Sequence, residues 1–141
     1  MSPALRRSAV VLAALFLLAL ALPLPGRGAE LADFHAAVER ASEEYQSAMI
    51  TLETQGQQET AAAVRRFRDA FQAIGERFGK DRPAAFADDE EYGATFMLVD
   101  MRLIGVLLVI DLGNRDAARK GLAPIKETLA RWSERSAPMA Q

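Results

Sequence analysis

The chain has no cysteine and a single histidine, His35, in 141 residues. The first absence removes disulfides, thiolate metal sites, a cysteine nucleophile and covalent attachment of a c-type haem. The second removes the pair of Glu-x-x-His motifs that di-metal helical sites require. A basic stripe is missing too: 17 lysines and arginines stand against 19 acids, a formal charge of −2, so nucleic acid is not an expected partner. No strand alternation, Gly-rich phosphate loop or internal repeat can be found, and no motif singles out a Ser or Thr as a nucleophile with His35 as its base. Enzymatic activity is not expected.

What is present begins with an export signal. Arg6 and Arg7 precede an uncharged apolar run, Ala9 to Leu22, which Pro23 and Pro25 break ahead of Gly26-Arg27-Gly28. A basic start, a short apolar stretch and small residues before the cut are the parts of a secretory signal. The run falls short of the roughly 20 residues that cross a bilayer. Cleavage is expected before or just after Ala29. Ser8-Ala9-Val10 match the twin-arginine signal poorly, which points to ordinary export. Losing residues 1–28 takes away Arg6, Arg7 and Arg27 and no acid, leaving 14 basic residues against 19 acidic ones, a balance of −5. The expected product is a periplasmic domain, residues 29–141, of about 113 residues with one core.

Four apolar patterns with helical spacing follow. Leu31, Phe34, Val38, Ala41, Tyr45, Ala48 and Leu52 form the first stripe, stopped by Gly56. Val64, Phe67, Phe71, Ile74 and Phe78 form the second, stopped by Gly79, with Arg65, Arg66, Arg68 and Arg77 on other faces. Residues 80–89 contain Pro83 and no periodicity, and read as the longest loop. Asp88, Asp89, Glu90 and Glu91 then suit the positive end of the next helix dipole. Gly113 closes the third helix and Asn114 caps the fourth, whose stripe is Ala118, Leu122, Ile125, Leu129 and Trp132. Pro124 lies inside that stripe and predicts a kink with a lost hydrogen bond near Lys120. Four helices of about 30 Å with mostly short connections predict an all-α fold, an up-down-up-down antiparallel four-helix bundle.

The third helix exceeds what such a bundle needs. From Phe96 to Leu112, only Asp100, Arg102, Gly105 and Asp111 interrupt apolar residues, so two faces are greasy instead of one. Either the long loop covers the second face through Phe86, or a second copy does, making a homodimer. Length and the three charges argue against a membrane span.

An exported bundle of this size, with a long second loop and the final segment GNRDAARKGLAPIKETLARWSERS, resembles the soluble b-type bundle cytochromes of the bacterial periplasm and, more distantly, the cytochromes c prime. The likeness covers residues 29–136. It implies a haem at one end of the bundle, held by a methionine in the first turns of helix one and a histidine near the end of helix four. In this chain His35 stands at the methionine place, and the histidine place falls on or beside Ser133, after Trp132. Neither Ser133 nor Trp132 offers iron a suitable lone pair.

The topology brings the start of helix one and the start of helix three to the same end, so a His35/Met97 ligand pair for haem b is one alternative. Arg77 and Lys80 would then meet the propionates. Adding Met101, one turn beyond Met97, gives a soft set suited to copper(I). The opposing reading makes the methionines core filler and His35 a ring packed at the bundle mouth. The expectation that follows is a haem-free, non-enzymatic module that binds a small ligand or a periplasmic protein. A haem electron-transfer protein and a copper binder are its alternatives.

Overall fold

The computed structural model describes residues 27–138. The expected export signal lies outside the described residues except for Arg27 and Gly28, which begin the first helix. The helices are α1 (Arg27–Thr54), α2 (Gln57–Phe78), α3 (Tyr92–Asp111), α4 (Arg115–Leu122) and α5 (Ile125–Ser136), with a 3₁₀ turn at Ala84–Phe86. No strand occurs among the described residues, so the fold is all-α. Ala123 and Pro124 keep right-handed helical dihedrals, so α4 and α5 make one fourth helix, interrupted at the proline.

Each terminus follows from its local sequence. Gly113 takes φ of 75°, a conformation that suits a residue without Cβ. Its N–H bonds to Ile110 O at 2.9 Å, and Asn114 N–H bonds to Val109 O at 2.8 Å, the paired closure that ends many helices. Asn114 then turns from stop to start: its side chain accepts from Ala117 N at 3.0 Å and opens α4. Asp89, in the acidic run, accepts from Glu91 N at 3.0 Å just ahead of α3.

The expected stripes become the interior. Phe34, Val38, Ala41, Tyr45, Ala48 and Leu52 of α1 are buried, as are Val64, Phe67, Phe71, Ile74 and Phe78 of α2. From the fourth helix come Ala118, Leu122, Ile125, Leu129 and Trp132. Around the core, α1 packs on α2, α2 on α3, α3 on α4, and both α4 and α5 on α1. Polar side chains tie the ends. Arg115 donates to Leu52 O at 2.7 Å and Gln55 O at 3.0 Å, and Gln57 donates to Ile110 O at 2.7 Å. Away from these, Tyr92 donates to Phe78 O at 2.9 Å and Arg77 pairs with Asp33 at 2.7 Å.

Pro124 has a structural consequence beyond the interruption. Lys126 N–H bonds to Ala123 O at 3.3 Å, which leaves Leu122 O without its usual helical donor four residues on. The buried Tyr45 hydroxyl takes that place, donating to Leu122 O at 3.0 Å. Burial in turn pushes the Tyr45 phenol up from its ordinary value. Tyr45→Phe should therefore lower stability by about 1–2 kcal/mol, the cost of an unsatisfied buried carbonyl. Urea denaturation checks this, with the helical circular dichroism of the folded variant unchanged.

Candidate functional site

His35 projects from the third turn of the described part of α1 and is half-buried. Its Nδ1 lies 2.9 Å from Ser136 Oγ in the last turn of α5. The Ser136 hydroxyl directs its one proton to backbone oxygens, Trp132 O at 2.6 Å and Ser133 O at 3.3 Å. Nδ1 of the ring must then donate to Oγ, and a neutral His35 keeps its lone pair on Nε2. Sequence reasoning missed this bond, since its partners are 101 residues apart. Ser133, at the place of the haem histidine in the resembling family, donates instead to the Glu39 carboxylate.

The other expected site residues do not gather around His35. Met97 and Met101 are each 61 % exposed on the outside of α3. The expected facing of His35 and Met97 is therefore corrected. Tyr92, Thr95, Val99, Leu103, Val106 and Ile110 form the inner stripe of α3, which turns Met97 and Met101 away from the interior. The soft set His35/Met97/Met101 is not assembled either. Arg77 is held by Asp33 and lies over the Phe78 ring, 4.9 Å from its centroid. Lys80 is exposed just past α2.

Between His35 and α3 the interior is filled by rings. Trp132 packs on Phe34 at 5.7 Å, Phe96 at 5.1 Å and Tyr92 at 5.4 Å, and stacks on Phe71 at 5.6 Å with 13° between planes. Phe86, buried from the long loop, closes this end against Phe34 at 5.0 Å and Tyr92 at 5.2 Å. Arg135 lies over Phe86 and donates to Ala85 O at 2.8 Å. These residues do not fit a haem: no second axial ligand faces His35, and packed rings fill the interior between His35 and α3. Trp132 Nε1 is buried without a hydrogen-bond partner, in a ring that stacks on Phe71. Among the described residues no three His, Asp or Glu side chains converge as metal ligands.

Phe86 also settles one expectation about the long loop. It points into the ring cluster, so it does not cover the second apolar face of α3. That face stays open. Beside it, between α2 and α3, runs a groove of about 550 Å³ lined by Phe71, Gly75, Phe96, Met97 and Asp100 among others. Asp100 anchors the groove to α2: Arg68 binds it through two contacts of 2.7 and 3.2 Å, and Gln72 donates at 3.1 Å. The Arg68 hydrogen bond holds the Asp100 carboxyl below its usual range.

Because the folded-state pKa of Asp100 is depressed, the stabilisation from this pair is present above the ordinary carboxylate range and is lost as pH falls through the folded value. Asp100→Asn should cost about 0.5–1 kcal/mol at neutral pH, as a partly exposed pair does. The gap to the unsubstituted protein should close in acid, as read from urea midpoints at both pH values. Titration with ferric haem should give no Soret band that depends on His35, checked against His35→Ala. No family model, curated protein or solved structure matches the chain.

Proposed function

We propose that this is an exported, non-enzymatic periplasmic protein whose helices form an up-down-up-down antiparallel four-helix bundle and whose working surface is the outer face of α3. The export reading rests on residues 1–28. The topology reading is supported by the bonds that join Leu52, Gln57, Ile110 and Arg115 on one side and His35, Phe78, Tyr92 and Ser136 on the other.

One observation carries the functional reading: Met97, Leu98, Met101, Ile104, Leu108 and Leu112 are 50–73 % exposed on a single helix. A water-facing helix has no folding reason to carry them, and contiguous patches of this kind mark interaction surfaces. The groups able to do chemistry are meanwhile engaged elsewhere. His35 is bound to Ser136, and Arg77, Asp100 and Arg68 are paired.

A photo-crosslinking amino acid at position 108, in cells expressing the full-length gene, should give an adduct in the cell envelope, whereas the same probe at Arg65 on α2 should not. Failure at position 108 would remove the interaction reading. N-terminal sequencing of the product should begin at Ala29 or Glu30.

A further inference from the structure

The outer face of α3 has its own regularity. Ala94, Leu98, Met101, Gly105, Leu108 and Leu112 follow steps of four and three, the spacing of a helix–helix seam. All of them are exposed, and Met97 and Ile104 widen the strip on one side. The inner stripe already supplies the contacts of α3 with its own chain, so this second seam has no partner within the subunit.

Gly105 sits at the centre of the strip. A helix-interior glycine weakens a helix relative to alanine, so a close neighbour usually accounts for it. Gly121 shows that pattern inside this chain: a Cβ there would meet Val106 Cγ2 at 2.6 Å. At Gly105 a Cβ would meet nothing within 4 Å. The open space over Gly105 therefore admits the backbone of another helix at close range.

Size and chemistry limit what that helix can be. The six large side chains present roughly 700 Å² of surface, close to the ~800 Å² per partner of a standard stable interface and beyond what monomers commonly leave bare. The helix surfaces beside it on α2 carry Arg65, Asp69, Gln72 and Glu76, all exposed, and cannot cover an apolar strip without losing hydration. The described surface apolar enough to match the strip is the strip itself. Leu98 and Leu112 stand seven residues on either side of Gly105, so two copies related by a two-fold axis bring like surfaces together.

We infer that α3 pairs with α3 of a second copy, crossing at Gly105 and burying Leu98, Met101, Leu108 and Leu112, with Met97 and Ile104 covered at the rim. This rests on the reading of α3 as the working face and supplies its occupant. The bilayer is the competing occupant, because α3, at 20 residues, is long and apolar enough to span one, contrary to the expectation from the shorter run Phe96–Leu112. Arg102 near its middle and the Arg68–Asp100 pair make that environment costly.

The test uses the full-length gene product, isolated as the cell processes it, in analytical ultracentrifugation over a wide concentration range. The expected species has twice the chain mass. Leu108→Glu should reduce it to a single chain with unchanged helical circular dichroism. Gly105→Leu, whose Cβ would meet no atom of its own subunit within 4 Å, should raise the dissociation constant roughly tenfold or more by blocking the crossing. Ile50→Glu, at an exposed apolar residue on α1, should leave the double mass unchanged. A single-chain mass throughout, or a double mass that survives both α3 substitutions, overturns the inference. So does flotation with phosphatidylcholine vesicles that Leu108→Glu abolishes, which would assign the face to lipid and leave the working-face reading intact. A position-108 adduct that lacks a second copy of this chain would likewise overturn the pairing alone.

Discussion

The packing of Trp132 is the constraint that places the helices relative to one another. From α5 its ring meets Phe34 of α1, Phe71 of α2, Tyr92 and Phe96 of α3, and Phe86 of the long loop, with centroids 5.1–6.3 Å away. A contact shared by four helices and a loop cannot be satisfied with any one of them displaced. Truncating a buried tryptophan costs about 3–5 kcal/mol, a large part of the 5–15 kcal/mol that separates a typical domain from its unfolded chain. The unpartnered Trp132 Nε1 costs on the order of 1–3 kcal/mol, which the surrounding ring contacts outweigh. The same cluster bears on the resemblance to b-type cytochromes: packed rings fill the interior beside His35, and His35 itself turns to the Ser136 hydroxyl at the rim.

Legibility differed sharply between the helices and within α3. In α1, α2 and the fourth helix a single apolar stripe has only one way to face inward, so Phe34, Phe67, Phe71 and Trp132 were recognisable as core from spacing alone. Gly113, Asn114 and Pro124 were equally readable, since each acts through its own backbone or its nearest turn. Helix α3 is apolar almost all round. A shift of one residue turns a helix by about 100°, and several rotations would each have buried a good stripe. An inward Met97 is one of the arrangements such a pattern permits. The bond between His35 and Ser136 was invisible for a different one: a lone serine near a chain end has no periodicity to mark it, and only the meeting of α1 with α5 gives it meaning. Phe86 lay in a segment without pattern, where the direction of a side chain depends on the whole loop path.

Something other than hydrophobic burial must then select the rotation of α3, because grease on both faces makes burial nearly indifferent to it. The discriminating contacts are polar and steric. The Tyr92 hydroxyl reaches Phe78 O, Asp100 meets the fork of Arg68, and Gln57 holds Ile110 O. Val106 fits over Gly121, where even a methyl group would intrude. Turn α3 by one residue and Asp100 leaves Arg68, a charged group loses its partner, and Val106 vacates the glycine. Exposed or half-exposed ion pairs add little net stability, yet breaking them in a competing arrangement raises the energy of that arrangement. Their role here is selection of one packing among several that bury similar area.

That selection also determines which residues are left outside. With Val99, Leu103 and Val106 held inward, the longer and more flexible Met97, Leu98, Met101 and Leu108 must face away, and Gly105 falls among them. The inner residues are largely β-branched, with restricted rotamers suited to a fixed core. Apart from Ile104, the large outer ones are unbranched at Cβ, and the methionines among them are adaptable in contact. A helix built only for the core would carry polar residues on that outer side, as α1 and α2 do with Glu39, Glu43, Arg65 and Asp69. The two sides of α3 thus differ in kind: the inner side is fitted to one fixed set of neighbours, and the outer side, with nothing of its own chain over Gly105, carries longer and softer side chains.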